Sequence, residues 1–507
     1  MRVIETKQLQ LGQVDIANIK FDPYSRDDIP QLLQGLQYIY TNTALRDAVF
    51  ELLQQCLPDD VDVNNGRPGM DLWSVFVLAT LRLNLNCDYD RVLELANNHY
   101  TLRQMLNRCG LTQHEQYKLQ TIKDNLALLT PDILNQINCV VVNAGHQLFQ
   151  NQDIPLAGRC DSFVFETNAH FPTDINILFD AVRCAIRDTA KCCEYFELTD
   201  WRQSKHNINT IKKAYLRLQR SRHSTSKDEK KKQKKMLEIK QMHQDFIILC
   251  DNFMIKVKAT VSKLESMVLY RDQLTLIEHY VTHAERQMAQ IKQRVINEIK
   301  IPHDEKVFSI FAPHTEWISK GKAGVPVELG IKVCILEDQM GFILNHQVMQ
   351  KLNDVDIAVD IVSKTKELHP RLSSCSFDKG FHSPANQKEL AQELDYCAMP
   401  KKGKRNKAEN EKENSAEFKQ YRKQHSAVES AINALEIHGL DRCPDKGLVG
   451  FEKYVSLAIV ARNIQKIGAE IQKRALAKEQ KKNRRNRKRQ RELQQQQSAQ
   501  QQLLQAA

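Results

Sequence analysis

The sequence predicts an α/β protein with large all-α parts, in which helices flank a mixed β-sheet, a helical domain comes first and a long helical insertion interrupts the sheet. Apolar residues recur at helical spacing before residue 150 and again between residues 176 and 299. Short runs rich in β-branched and aromatic residues lie directly before and after that second stretch. The 507 residues are enough for several domains.

The composition is that of a soluble globular protein, with 42% hydrophobic and 27% charged residues. The first 21 residues mix charged and apolar side chains, and the longest apolar stretch, Leu72–Leu81, is too short to span a bilayer. The 13 cysteines lack metal-ligand spacing, which indicates free thiols in a reducing compartment. We therefore expect a soluble cytoplasmic protein.

Residues 1–150 are predicted to form a helical N-terminal DNA-binding domain. A buried helix at Asp71–Leu83 is followed by short amphipathic helices at Tyr89–Ala96 and Thr101–Leu106. Short helices with tight turns and projecting arginines are typical of helix-turn-helix proteins, although a plain helical packing domain fits the pattern equally well. The candidate DNA contacts here are Arg67, Arg82, Arg91 and Arg103.

Residues 176–299 are predicted to form a helical, partly coiled-coil-like insertion, and residues 473–507 a basic and Gln-rich disordered tail. Ile208, Ile211, Tyr215 and Leu218 recur at helical spacing within the insertion. Its lysine-rich segment 230–235 is typical of a solvated face, with DNA contact as the alternative. The segment 473–492 carries eleven Lys/Arg against two Glu, which accounts for +9 of the net charge of +11. Such runs are usually solvated, and binding of a polyanion is a common use of them.

Residues 151–175 and 300–472 are predicted to form the domain that contains the sheet. Helices are predicted after it, from about 417 to 438 and from 448 to 473. The predicted strands, separated by turn residues, are 162–165, 307–311, 327–336, 341–348, 372–377 and 396–399.

Three carboxylates of this domain have the placement that metal-dependent phosphodiester chemistry requires. Asp161 begins a predicted strand, Asp378 ends another, and Glu429 lies on a later helix. Two strands and a later helix carry the carboxylates of ribonuclease-H-like nucleases, where oxygen ligands hold hard divalent cations. The chain contains 62 acidic residues, so spacing alone does not single out these three, and Glu166 and Glu328 are spare carboxylates nearby.

Five stretches, taken in order, resemble conserved blocks of one enzyme family. They are residues 66–106, 161–174 (DSFVFETNAHFPTD), 315–336, 377–386 (FDKGFHSPAN) and 424–433 (QHSAVESAIN). In this order they resemble the DDE transposases of bacterial insertion sequences: the helical N-terminal domain, the block of the first aspartate, the strand block that follows, the second aspartate and the glutamate helix.

The resemblance implies a ribonuclease-H-like catalytic domain in a nucleoid-associated bacterial transposase. Asp161, Asp378 and Glu429 would be both the catalytic residues and the ligands of two Mg²⁺ (or Mn²⁺) ions. The enzyme would cleave double-stranded DNA at transposon ends, recognised through inverted repeats, and join those ends to target DNA by phosphoryl transfer. Since two ends must be joined in one complex, a homodimer on DNA is expected.

The chain departs from the family in two places. One signature of related enzymes places Tyr, Arg and Lys at fixed offsets around the glutamate, where this chain has Arg422, His425 and Glu436. The insertion also enlarges a normally compact domain. Arg422 and His425 stay candidates for phosphate contact.

Further basic and polar residues near the three carboxylates are candidates for supporting roles. His170 and Asp174 could orient the first aspartate without binding the metal themselves, although stabilisation of a turn is the simpler role for both. The loop cations that flank the predicted site suit phosphate contact. They are Lys320, Lys322, Lys401, Lys402, Lys404 and Arg405.

Two other functions remain compatible with the sequence. A nuclease of the same fold would use the same three residues but only hydrolyse DNA. A domesticated or inactive relative would bind DNA through its helices and basic tail without catalysis. An assay of strand transfer from pre-cut ends distinguishes a transposase from the nuclease. DNA binding without any metal-dependent reaction would identify the non-catalytic relative.

Overall fold

The computed structural model describes residue 4 and residues 11–57, 69–110, 116–149, 154–221, 227–265, 271–303, 305–319 and 326–506. The chain forms two compact units. The first unit consists of Met1–Phe165 and Lys332–Ala507, and the second unit of Glu166–Ile331. The N-terminal helices thus share one unit with most of the sheet, whereas the sequence predicted a separate N-terminal domain.

Among the described residues of the first unit, seven α-helices precede the sheet. They are α1 (Asp28–Thr41), α2 (Thr43–Gln54), α3 (Leu72–Asn84), α4 (Tyr89–Asn98), α5 (Tyr100–Met105), α6 (Leu119–Leu126) and α7 (Pro131–Leu148). Helix α3 is buried along its whole length, as its apolar composition predicts, and Asp71 caps its first turn by accepting from Ser74 N–H at 2.7 Å. The helices predicted at 71–83, 89–96 and 101–106 correspond to α3, α4 and α5.

The described residues contain one mixed seven-stranded sheet. Its strands are β1 (Leu156–Thr167), β2 (Glu316–Ser319), β3 (Val327–Glu337), β4 (Ile343–Met349), β5 (Leu372–Phe377), β6 (Tyr396–Ala398) and β7 (Arg442–Cys443). The order is β2-β3-β1-β5-β6, with β4 paired to β3 and β7 paired to β1. Strand β5 is parallel to β1 and β6, while β3 is antiparallel to β2 and β4. This confirms the predicted fold class, a mixed sheet of ribonuclease-H-like type flanked by helices.

One predicted strand is wrong. Residues 307–311 have no regular structure, because the hydroxyl of Ser309 accepts from the backbone N–H groups of Phe311 and Ala312 and closes a local turn. The apolar residues of this segment had suggested a strand, but Ile310 instead packs into the helical core of the second unit.

The second unit contains the predicted insertion. Its helices are α8 (Asp174–Tyr195), α9 (Ser204–Arg220), α10 (Glu229–Glu265) and α11 (Arg271–Ile291), followed by a π-helical turn at Lys292–Ile296. They share one apolar core, to which α10 contributes Phe246, Cys250, Met254 and Val257 at helical spacing. The insertion is helical, as predicted.

The remaining helices follow β4 in the first unit. They are α12 (Asp354–Leu368), α13 (Pro384–Glu393), α14 (Lys407–Asn414), α15 (Ala416–His425), α16 (Ala427–Leu435) and α17 (Gly447–Ala506). Helix α17 packs against α1, α3 and α7, which explains why the N-terminal helices join this unit. The approach of α1 to α17 is close enough to require glycine, since a Cβ on Gly468 would lie 1.7 Å from the carbonyl oxygen of Gln31.

The C-terminal segment corrects another prediction. Helix α17 continues through residues 473–506, where the sequence predicted a disordered tail. This segment contains no Gly or Pro and is rich in Ala, Lys, Arg, Gln and Glu, all of which favour helix. Its basic side chains are exposed up to Arg491, so charge and solvation had suggested disorder although the local backbone preference is helical.

In the part of the chain that the structure describes, no helix is long and apolar enough to cross a membrane. All 13 cysteines are free, and most are buried. Cys160, beside the first aspartate, is fully buried against Cys334, and burial raises the pKa of its thiol well above the ordinary value. Cys160 is therefore a packing residue.

Candidate active site

Asp161 and Asp378 lie at two neighbouring strands of the sheet. Strands β1 and β5 run parallel, and Cys160 is paired with Phe377. Asp161, which the sequence placed at the start of a strand, is the next residue inside β1, and Asp378 directly follows the last residue of β5. Adjacent strands are about 4.8 Å apart. The pairing register therefore brings together two carboxylates that are more than 200 positions apart in the sequence.

Glu429 lies on α16, which buries Val428, Ala431 and Leu435 and leaves Glu429 exposed. The helix is anchored by its apolar face, so the carboxylate is on the solvent side and can change rotamer. Its negative charge is close enough to act on Asp161. Ile432, on the same helix, is half-buried.

Burial and neighbouring charge raise the pKa of Asp161 to about 6. Burial is the largest cause, and the negative charges of Asp378, Asp354 and Glu429 add to it, while a hydrogen bond from Ser162 N–H opposes it. Four carboxylates thus share one part of the first unit. The excess negative charge indicates a site suited to cations.

Asp354 is the residue that sequence analysis missed. It is the first residue of α12, accepts from the Ser162 hydroxyl at 2.6 Å and pairs with Lys332 on β3 at 3.2 Å. A Cβ on Gly380 would lie 3.0 Å from Asp354 Oδ2, so a larger residue in the turn after Asp378 would press against the Asp354 carboxylate. In the sequence Asp354 is only the acidic start of a helix, a common pattern that carries no functional signal.

Arg422 and His425, the predicted phosphate contacts on α15, both bond to the end of β5 beside Asp378. Arg422 donates to the carbonyl of Phe377 at 2.8 Å and lies 3.8 Å from the Asp378 carboxylate. His425 is buried and bonded to the Ser376 hydroxyl at 3.0 Å. Burial, with help from the Arg422 charge, lowers the pKa of His425 to about 4, so this imidazole is neutral at physiological pH. A neutral, buried histidine does not attract phosphate.

The predicted DNA contacts of the N-terminal helices differ in exposure. Arg82 is 5% exposed and pairs with Asp445 at 2.9 Å, which removes it from the candidates. Arg103 is half-buried and donates to the carbonyls of Asn97 and Arg108. Arg91 is exposed, and Arg67 lies outside the described residues.

The loop cations after β6 are partly occupied by acidic partners on α14. Lys401 pairs with Glu409 at 2.7 Å, and Arg405 pairs with Glu413 at 2.9 Å. Lys402 and Lys404 are exposed. These two are the loop cations best placed to meet an external anion, while Lys320 and Lys322 lie outside the described residues.

The residues proposed to support Asp161 have other partners in the second unit. His170 bonds to Asp180 at 2.5 Å, which raises the pKa of the imidazole. Asp174 is in the first turn of α8 and pairs with Arg294 at 2.8 Å. Both contacts lie within the second unit, and Thr173 rather than Asp174 caps α8.

In the described ranges, no three His, Cys, Asp or Glu side chains converge closely enough to hold a metal ion. The donors are nevertheless chemically suited to Mg²⁺ or Mn²⁺, since carboxylate oxygens are the ligands that these cations prefer. The pKa of Asp161 shows that the carboxylates already act on each other electrostatically. A tighter arrangement requires movement of side chains, for which the exposed Glu429 is free.

A ribonuclease-H-like sheet with clustered acidic residues defines a class of nucleic-acid-processing enzymes. Residues 298–464 match the family described as the transposase DDE domain, so this part of the chain is similar to DDE-type transposases. The matched segment contains Asp378 and Glu429, while Asp161 lies before it. No curated protein and no solved structure is similar enough to match the chain.

Proposed function

We propose that this chain cleaves DNA at the ends of a mobile element, of the bacterial insertion-sequence type, and joins those ends to target DNA. One observation carries the proposal: Asp161 and Asp378 follow paired residues on adjacent parallel strands, and the Glu429 charge acts on Asp161. Carboxylates from two strands and a helix can supply the oxygen ligands for the metal ions that catalyse phosphoryl transfer.

Asp161, Asp378 and Glu429 are the proposed ligands of divalent cations. Two bound Mg²⁺ or Mn²⁺ ions would activate the attacking oxygen and stabilise the leaving oxygen. The shared negative charge that raises the pKa of Asp161 favours the occupation of this site by cations over an empty site.

Other residues of the chain would hold this arrangement in place. Arg422 fixes the end of β5 through the Phe377 carbonyl, and the neutral His425 holds Ser376 one position earlier. Asp354 contacts Ser162 beside the first aspartate and approaches Gly380 beyond the second. Such positioning matters because phosphoryl transfer depends on the alignment of the attacking oxygen with the phosphate.

The proposed partners follow from this activity. The N-terminal helices would recognise the inverted repeats. Arg91, one of the arginines that the sequence predicts to contact DNA, is exposed and is a candidate for this contact. Lys402 and Lys404 would contact phosphate near the carboxylates. Assembly as a dimer on DNA and association with the nucleoid belong to the same proposal.

The decisive experiment replaces single carboxylates in the full chain. Asp378→Asn or Glu429→Gln should reduce cleavage of a duplex that carries the element's end by on the order of 10³-fold, because each change removes a charged metal ligand. Binding of the same duplex should persist. Glu389→Gln, which changes an exposed acid on α13, serves as the matched control and should cleave normally. Full cleavage by either site variant would remove the assignment.

Pre-cut ends distinguish the remaining functions. A transposase joins a pre-cut 3′ end to a second duplex in the presence of Mg²⁺, while a nuclease of the same fold only hydrolyses DNA. A chain that binds DNA but shows no metal-dependent reaction with either substrate would be the non-catalytic relative.

A further inference from the structure

Helix α9 of the second unit is unusual in its charge. Residues 204–220 include five Lys/Arg and no Asp or Glu. Most helices of a globular surface mix the two signs, which allows pairs at neighbouring turns. Helix α9 therefore presents positive charge that its own residues do not offset.

The positive charge lies on one side of the helix. Ile211 and Leu218 are buried in the core of the second unit, and they mark the inward face. The five cations project from the opposite side at helical spacing, and all are exposed. We call this the α9 basic face, formed by Lys205, Lys212, Lys213, Arg217 and Arg220.

Some cations elsewhere in the second unit are paired with acids. Arg183 pairs with Asp180 at 2.7 Å, and Lys240 pairs with Glu298 at 2.7 Å. Within the described part of the chain, none of the cations of the α9 basic face takes part in an ion pair. This row is therefore available for an external anion.

The positive surface continues beyond the start of α9. An open cavity of about 510 Å³ lies there, lined by Trp201, Arg202, Lys256 and Lys263 among others. Arg202 and Lys256 are exposed, while Lys263 pairs with Asp200 at 3.4 Å. Arg202 lies before the first residue of α9 and three residues before Lys205, so the basic surface extends beyond the helix.

We propose that the α9 basic face is a docking surface for the phosphate backbone of duplex DNA. From Lys205 to Arg220 the helix rises about 23 Å, comparable with about seven phosphates of one strand. The inference rests on the proposed function, which supplies DNA as the polyanion. It assigns to the insertion a role in holding DNA without reading its sequence.

The chemistry of the face favours nucleic acid over a membrane. The exposed residues between the cations are polar, such as Asn209, Thr210 and Gln219, and no large apolar side chain of α9 is exposed. An interfacial membrane helix needs an apolar face directed to the lipid, whereas the apolar face of α9 is buried in the protein. Hydrogen-bonding polar residues among cations suit phosphate oxygens.

The test compares two triple variants of the full chain that lose the same charge. Lys212→Gln/Lys213→Gln/Arg217→Gln removes three cations of the α9 basic face. Lys235→Gln/Lys240→Gln/Lys258→Gln removes three cations of the same unit that are paired with acids. Binding of duplexes with and without the element's ends is measured across a salt series without divalent metal, so that cleavage plays no part.

The α9 variant should bind both duplexes at least tenfold more weakly, and the slope of log K against log salt should fall by about 2.7 because each lost phosphate contact removes about 0.9. The paired-lysine variant should stay within about threefold of the wild type. The inference would be overturned if both variants lost the same DNA affinity, or if the salt slope of the α9 variant were unchanged. It would also be overturned if the α9 variant bound anionic vesicles more weakly but DNA as well as the wild type. Such results leave the cleavage assay of Asp378→Asn unaffected, so the two proposals fail separately.

Discussion

The two units differ in how they handle charge. The first unit buries ion pairs: Arg82 with Asp445, and Glu337 between Arg159 and Arg462. In the second unit the pairs between α10 and its surroundings, such as Lys258–Glu285 and Lys263–Asp200, are largely exposed. Buried pairs become costly when one partner is lost, while exposed pairs contribute little.

This difference separates charges that maintain the fold from charges available for function. In the first unit, Arg82, Arg159 and Arg462 have acidic partners, negative charge collects around Asp161, and the end of α17 is basic. In the second unit, α9 carries positive charge without an acidic residue of its own. Changes of charge should therefore affect stability mainly in the first unit, and DNA binding mainly where the cations lack partners.

The largest effect on stability is expected when a buried pair of the first unit is broken. Asp445→Asn leaves the Arg82 guanidinium, 5% exposed, without a charged partner and should lower the free energy of unfolding by about 3–5 kcal/mol. Chemical denaturation measures this change. Lys258→Gln in the second unit is the comparison and should cost less than about 1 kcal/mol.

A double variant sharpens the interpretation. Arg82→Met/Asp445→Leu should recover much of the loss, because it removes both charges from the interior. If Asp445→Asn lowers the free energy of unfolding no more than Lys258→Gln does, the Arg82–Asp445 pair does not stabilise the first unit.

A smaller effect is expected from the buried histidines of the first unit. Burial lowers the pKa values of His369 and His425 to about 4, below the value of about 6.5 in an unfolded chain. Between these two pKa values the unfolded state binds more protons than the folded state. The contribution of the histidines to the free energy of unfolding is therefore fully present above pH 6.5 and is lost as the pH falls towards 4. Each histidine contributes up to about 3 kcal/mol to that loss.

The pH dependence of unfolding tests this directly. In His425→Asn the free energy of unfolding should decline less steeply between pH 6.5 and pH 4 than in the wild type, whatever the stability of the variant at pH 7. His206→Asn changes an exposed histidine of the second unit and should leave the slope as it is. Identical slopes in all three proteins would contradict the assignment of neutral buried histidines.

The smallest effect on stability is expected from the basic end of α17. Deletion from Lys473 onward removes eleven cations on a helical segment that is largely exposed, so unfolding of the first unit should change by less than about 1 kcal/mol. DNA binding should weaken about tenfold without regard to sequence, and its salt dependence should flatten.

A substitution series separates charge from helix length in that experiment. Replacing the Lys and Arg of residues 481–491 by Gln keeps a helix-favouring composition while removing the charge. It should reproduce most of the loss of binding. An unchanged salt slope in both variants would show that this segment does not contact DNA.

Much of the fold could be predicted because its signals are local. The apolar residues of α3 and the β-branched residues of β3 and β5 identify those elements without knowledge of their neighbours. The failures arose where a local signal was ambiguous. Residues 307–311 form a turn because of one serine hydroxyl, and residues 473–506 are helical although their charge suggested disorder.

The site was predictable in part for the same reason. Asp161, Asp378 and Glu429 stand at recognisable strand and helix positions, and Asp378 and Glu429 also fall in the matched domain. Asp354 could not be found, since the start of a helix gives no information on which strand it will face. Arg82 and His425 have the sequence context of surface residues, yet packing buries both.

The sequence by itself determined the helices and strands and the order in which the acidic residues follow them. These depend on side-chain periodicity and on backbone preferences that act over a few residues. Only the tertiary structure decided that Cys160 pairs with Phe377, that Asp354 joins the two aspartates and that the cations of α9 are exposed. Register and charge pairing depend on distances between residues remote in the chain, and those distances exist only after the core has packed.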